Sequence, residues 1–214
     1  MNFVFLGPPG SGKGTQAVRV AEKFGIVHLS TGDILREAIK NKTDLGLKID
    51  SFMENGNLVP DEIIIGILEE KIASGDLNKG FILDGFPRTI PQAESLKKML
   101  LKNNINLDNV VLLDVSDDEI VKRLSGRWYC PECNSGYNYP NKTPKTEGYC
   151  DNDNAELKRH PDDQEDVVRN RLEVYKSQTE PIVEFYKSES VLKNINGEQD
   201  SDAVFNSICE MVMA

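Results

Sequence analysis

Long apolar runs are missing from this 214-residue sequence, and nothing in it approaches the roughly 18 to 20 continuous apolar residues that cross a bilayer. The N-terminus also lacks the basic start and extended apolar stretch of a secretory signal. The expectation is therefore a cytoplasmic protein with no membrane partner. Excess positive charge is missing as well: 35 Asp and Glu against 25 Lys and Arg give a net charge of −10, which argues against nucleic acid as a partner. A small anion remains open, because a few arginines can act locally inside an acidic protein. Repeats and low-complexity tracts are absent. Paired cysteines of the secreted type are absent too, since three of the four crowd into residues 130–150 and Cys209 stands alone. That spacing suits a metal better than disulfides. Cys209, with Ile208 and Met211 around it, reads as core packing.

What is present is an alternation of short apolar runs with amphipathic segments, the pattern of a parallel sheet flanked by helices. Five strands are expected at 2–6, 26–29, 81–83, 110–114 and 191–195. Ser30 and Thr31 can cap a helix beginning near Asp33, Asp61 follows Pro60 ahead of Ile63, Ile64, Ile65 and Leu68, and Asp117 opens a helix with Ile120 and Leu124. Residues 127–163 break the rhythm. They are rich in Cys, Pro, Asn, Gly and Tyr and read as an inserted subdomain, followed by a long helix with Val168, Leu172 and Tyr175 on one side. One domain carrying insertions fits the length.

Directly after the first strand comes "GPPGSGKGTQ", residues 7–16. Gly7, Gly12 and Lys13 match the strand–GxxxxGK–helix arrangement that cradles phosphate. Gly10, Ser11, Gly12 and Gly14 would bring backbone N–H groups together around the anion, with the helix dipole aimed at it and Lys13 adding a point charge. Gly14 occupies the usual Ser/Thr position, so the hydroxyl nearest the phosphate is that of Thr15. In the insertion, Cys130-x-x-Cys133 and Cys150-x-x-Asp153 are separated by sixteen residues, which suits a structural tetrahedral zinc held by three thiolates and a carboxylate. Asp151 is the alternative fourth ligand.

Five stretches, "GPPGSGKGTQ", "STGDILR" (30–36), "GNLVPDE" (56–62), "FILDGFPRT" (81–89) and "DDQEDVVRNRL" (162–172), in this order over essentially the whole length, resemble the adenylate kinases of the long-lid form. The resemblance implies a P-loop NTPase fold: a five-stranded parallel sheet flanked by helices, with a core of 1–29, 60–126 and 163–214, an AMP-binding insertion at 30–59 and a zinc-stabilised lid at 127–162. It implies transfer of the terminal phosphoryl group from MgATP to AMP, giving two ADP. Lys13, Asp84, Arg88, Arg123, Arg127, Arg159 and Arg171 would be catalytic. Arg36 and Arg88 would grip the AMP phosphate, since a guanidinium can bind two phosphate oxygens at once. Thr31, Asn57, Leu58, Val59, Gly85, Phe86, Pro87, Gln92, His160 and Arg171 would complete the AMP site. Arg123, Arg127 and Arg171 would close over the donor phosphates, with Gly136, Tyr137 and Gln199 at the donor nucleotide. Asp84 would hold Mg²⁺ through water, a cap being its bland alternative, and Asp33 is balanced between that role and a first-turn carboxylate. Asp153 is favoured over Asp151.

One position departs from the family. His160 stands where an arginine is usual, and either Arg159 swings in to replace it or His160 acts partly protonated. The expected protein is a monomer whose two insertions close to exclude water, with lid opening limiting turnover. A kinase for another nucleoside monophosphate is the near rival. A zinc-ribbon binding module switched by nucleotide is the distant one, and the acidic charge speaks against it.

Overall fold

The computed structural model describes residues 1–75, 77–133, 135–139, 142–159 and 163–213. Strands β1 (Asn2–Leu6), β2 (Val27–Ser30), β3 (Phe81–Asp84), β4 (Asn109–Asp114) and β8 (Leu192–Asn196) form one parallel sheet in the order β2-β3-β1-β4-β8. Three short strands, β5 (Arg127–Tyr129), β6 (Gly136–Asn138) and β7 (Lys158–Arg159), form a separate antiparallel sheet in the order β6-β5-β7.

Central β1 is apolar on both faces because both faces are covered. Phe3 and Phe5 meet Ala17, Val20, Val204 and Ile208, which come from α1 (Lys13–Phe24) and α9 (Ser201–Met213). Val4 and Leu6 point the other way, into a larger core with Leu68, Leu96 and Ile182 from α4 (Asp61–Ala73), α5 (Ile90–Lys102) and α8 (Pro181–Ser188). Each fully buried large side chain of this kind contributes about 1.5 to 3 kcal/mol.

The helices begin where the capping residues place them. The Ser30 hydroxyl accepts from the Asp33 amide, so α2 (Thr31–Lys40) starts one residue after its cap, and Thr31 is helical rather than capping. Thr43 caps α3 (Asp44–Glu54) in the same way, and α6 (Asp117–Ser125) opens on Asp117. One expectation is corrected. The long helix is not continuous: α7 (Glu165–Val174) runs into a π-helical turn, Tyr175–Thr179, before α8, with the Glu180 amide bonding the Tyr175 carbonyl at 2.8 Å. The insertion carries sheet structure, built on a small cluster of Cys130, Tyr137, Cys150 and Leu157 with Trp128 and Ala155 against it.

Candidate active site

The phosphate-type loop leaves the carboxyl end of β1 and enters α1 through Gly12, whose φ of 93° is left-handed. Two of its glycines leave no room for a side chain: an added Cβ would lie 2.7 Å from the Leu113 carbonyl oxygen at Gly7 (φ 143°) and 2.9 Å from Leu124 Cγ of α6 at Gly10 (φ 82°). Lys13 folds its ammonium back over the loop, donating to the carbonyls of Gly7 at 2.7 Å and Pro8 at 2.8 Å. Burial pulls its pKa down to about 8; Asp84 opposes this, and the guanidinium groups of Arg88, Arg171 and Arg127 add to it.

Asp84 closes β3, one strand over. Burial pulls its carboxyl up, but the contact with His28 and the charges of Lys13 and Arg88 outweigh that and hold it below the usual carboxylate range. His28 Nε2 lies 3.5 Å from Asp84 Oδ2. A Cβ at position 14 would sit 3.3 Å from the same oxygen. Gly14 therefore stands where a side chain would crowd this carboxylate, a physical reason for the departure from the usual Ser/Thr.

One cleft of about 980 Å³ gathers the loop with Thr15, Arg36, Asp84, Gly85, Pro87, Arg88, Arg123, Arg127, Gly136, Tyr137, Arg171 and Gln199. The arginines are held by partners rather than loose. Arg123 Nε bonds Glu119 Oε1 at 2.8 Å, one helical turn back, while Nη2 bonds the Gly197 carbonyl at 2.9 Å. That bond to Arg123 is the main cause holding the Glu119 carboxyl low. Arg127 makes a two-pronged pair with Asp163, both contacts at 2.6 Å, and the Asp163 side chain is 1% exposed. Arg88 is fixed through its backbone: Gln92 Oε1 accepts its amide at 2.7 Å and the Thr179 hydroxyl donates to its carbonyl at 2.9 Å. Asp33 also lines the cleft, and its carboxylate pairs with Arg36 at 2.5 Å as a first-turn group.

A second cavity of about 50 Å³ adjoins these residues and is lined by Thr31, Asn57, Leu58, Val59 and Gln92 together with Arg36, Gly85, Arg88 and Arg171. Gln92 Nε2 donates to Asp61 Oδ1 at 2.7 Å. Phe86, expected among the acceptor contacts, is fully buried in the main core and lines neither cavity. Arg159 also lines neither: its guanidinium stacks over Trp128 at 4.9 Å, opposite it in β5, and donates to the Ser125 carbonyl. His160 lies outside the described residues.

In the small sheet, ligand atoms of Cys130, Cys133, Cys150 and Asp153 all lie within 4.8 Å of one another. Cys133 Sγ and Cys150 Sγ are 3.5 Å apart, and Cys130 Sγ is 3.3 Å from Asp153 Oδ2. The edges of a tetrahedron around zinc with bonds near 2.3 Å are about 3.8 Å, so the set fits that ion. Asp151 is otherwise engaged, accepting the Lys145 amide at 2.8 Å. Tyr137 sits behind the cluster, its hydroxyl accepting the Asp151 amide at 2.7 Å.

Glu119 was available to sequence reasoning, being four residues before Arg123 on a helix. Asp61 and Asp163 lie inside the stretches 56–62 and 162–172, which name no partner for them, and His28 and Thr179 lie in none of the five; each reaches a candidate site residue from a distance.

A parallel sheet with a glycine–lysine loop at the end of its first strand and a cleft lined by arginines defines a P-loop phosphotransferase. The adenylate kinase family model matches residues 5–191. Relatives named adenylate kinase include those of Carboxydothermus hydrogenoformans, 49% identical over 97% of this chain and 97% of the relative, and Thermodesulfovibrio yellowstonii, 47% identical over 99% of each. That of Listeria innocua is 47% identical over 100% of this chain and 99% of the relative. The chain belongs to the adenylate kinase family.

Proposed function

We propose that the chain carries out ATP + AMP ⇌ 2 ADP with the donor triphosphate in the large cleft and AMP at the small cavity. The observation that carries this is the convergence of Lys13, Arg88, Arg123, Arg127 and Arg171 on one cleft. Phosphoryl transfer needs little covalent chemistry from the protein; it needs alignment and positive charge around the moving group. Residues 10–15 cradle the donor phosphates, with Lys13 on the outer ones. Arg123, Arg127 and Arg171 offset the charge on the transferring group, and Arg36 and Arg88 hold the acceptor phosphate. Thr31, Gln92 and the backbone at 57–59 meet the acceptor base and sugar, and Gly136, Tyr137 and Gln199 the donor nucleoside.

Magnesium, when bound with ATP, supplies a charge that draws electron density from the phosphate oxygens. Asp84, held ionised beside the first turn of α1, and the Thr15 hydroxyl are the hard oxygen donors suited to that ion. Zinc at Cys130, Cys133, Cys150 and Asp153 would hold together an insertion whose apolar cluster is small. On this reading, segments 30–59 and 127–162 close over the core to exclude water and their reopening limits turnover. Among the described residues no helix is long and apolar enough to cross a membrane, and we read the protein as a cytoplasmic monomer, with Arg159 reaching the donor phosphates only on closure. ADP formation from ATP, Mg²⁺ and AMP by the purified protein tests the activity. A Lys13→Ala variant with undiminished turnover would overturn it.

A further inference from the structure

Gln92 is 2% exposed, and its amide is not free to turn over. Its Oε1 faces the Arg88 backbone N–H at 2.7 Å, a group that can only donate. Its Nε2 faces Asp61 Oδ1 at 2.7 Å, a carboxylate that, ionised, can only accept. Asp61 is held in turn, because Oδ2 accepts the Thr89 hydroxyl at 2.8 Å while that hydroxyl oxygen caps α5 by accepting the Gln92 amide at 3.2 Å. Every donor in this set meets an acceptor in one sense only. Reversing the amide would set N–H against N–H and oxygen against carboxylate, losing both bonds, one of them charge-assisted.

What Gln92 still offers is therefore fixed: the second N–H of Nε2 and the second lone pair of Oε1. Gln92 lines the small cavity. An adenine edge presents an acceptor ring nitrogen beside an amino donor; a 6-oxopurine presents a ring N–H donor beside a carbonyl acceptor. A primary amide can match either edge by flipping, so Gln92 alone cannot tell them apart. Discrimination has to come from whatever fixes the flip. We propose that Asp61, acting as a positioning residue behind Gln92, sets the selectivity of the acceptor site for adenine over 6-oxopurine nucleotides, an assignment that rests on Gln92 facing the acceptor base as proposed above.

The test is the ratio of kcat/KM for AMP to that for IMP, which differs only at this edge, measured on the full-length protein at saturating MgATP. In Asp61→Asn the new side-chain amide can present N–H to the reversed Gln92 Oε1, so reversal forfeits only the bond from the Arg88 amide instead of both. The AMP/IMP ratio is expected to fall by about tenfold or more, with KM for ATP unmoved. Because the ratio is independent of the fraction of folded enzyme, loss of helix capping does not blur it. Asp61→Ala, which removes the acceptor without offering a donor, is expected to shift the ratio the same way by less. A ratio unchanged in both variants, or AMP and IMP falling in parallel, overturns the assignment while leaving the activity standing. A ratio unchanged in Gln92→Leu would overturn both the base-facing role of Gln92 and this assignment, and a wild-type protein that makes no ADP from AMP would sink the proposed activity itself.

Discussion

With ATP placed as proposed, the lowered pKa of Lys13 is expected to make donor binding pH-dependent in a range where an ordinary lysine would give almost no change. In the free protein the ammonium is lowered from 10.5 to about 8, by burial first and then by nearby guanidinium groups against the pull of Asp84. A bound triphosphate brings several negative charges to the same place, so it favours the charged form and binding takes up a proton once the free group has begun to lose it. At pH 7 about nine in ten molecules carry the charged lysine, and at pH 9 about one in ten. Affinity for ATP is therefore expected to weaken about tenfold between pH 7 and pH 9, or about 1.4 kcal/mol. A lysine left near 10.5 would give almost no change over that interval. The effect on folding has a definite sign as well. A lysine lowered by the native state lowers stability wherever both states are protonated, below about pH 8, and that cost of about 3 kcal/mol fades as pH rises toward 10.5. Calorimetric titration with ATP at pH 7, 8 and 9, repeated in buffers of different ionisation enthalpy, reads both the affinity and the proton count. Lys13→Arg keeps its charge throughout and should lose the pH slope. A flat affinity in the wild type, or an equal slope in the arginine variant, would refute the electrostatic account of the loop.

Two further outcomes follow from contacts made far along the chain. Asp163→Ala removes both anchors of Arg127 and is expected to lower kcat/KM for ATP by about 1.5 to 3 kcal/mol, roughly 10- to 150-fold, with KM for AMP changed less; equal losses for both nucleotides in steady-state kinetics would show that the pair merely supports the fold. Chelation at neutral pH is expected to disorder the small sheet before the core, raising the reactivity of Cys130 and Cys150 toward a thiol reagent and shifting the emission of Trp128, the only tryptophan; an unchanged spectrum after metal is shown to be gone would count against a structural ion.

The phosphate loop was legible because its chemistry lies within nine consecutive residues, 7–15, and the sheet was legible because β1, β3 and β4 are built on contiguous apolar runs, whereas β2 (VHLS) and β8 (LKNIN) include polar residues and rest on the alternation of strand and helix. Strand limits moved by a residue or so, with β3 extending to Asp84 and β2 shifting to end on Ser30. What escaped was whatever depends on distant residues meeting. Asp61 is 31 positions from Gln92, Asp163 is 36 from Arg127, and Thr179 is 91 from Arg88. Asp61 and Asp163 fall inside stretches that carry the family resemblance, yet nothing local names their partners, and Thr179 lies in no such stretch. The turn at Tyr175–Thr179 escaped for another reason, since helical periodicity on either side of it reads as continuous. Phe86, which the resemblance implies at the acceptor site, follows its own hydrophobicity and buries its side chain in the core.

That widened turn sets the phase of everything after it. A π-type turn holds one residue more than an α turn, and each residue of an α-helix advances about 100° around the axis. Excising a single residue between 175 and 179 would therefore spin α8 by nearly a third of a revolution. Ile182 and Tyr186, now buried against the sheet, would swing toward water, and the Thr179 hydroxyl would leave the Arg88 carbonyl in the same stroke. The surplus residue acts as a spacer that lets one rod serve two masters, the guanidinium cluster at one end and the sheet at the other, and that segment should accept substitution far more readily than shortening.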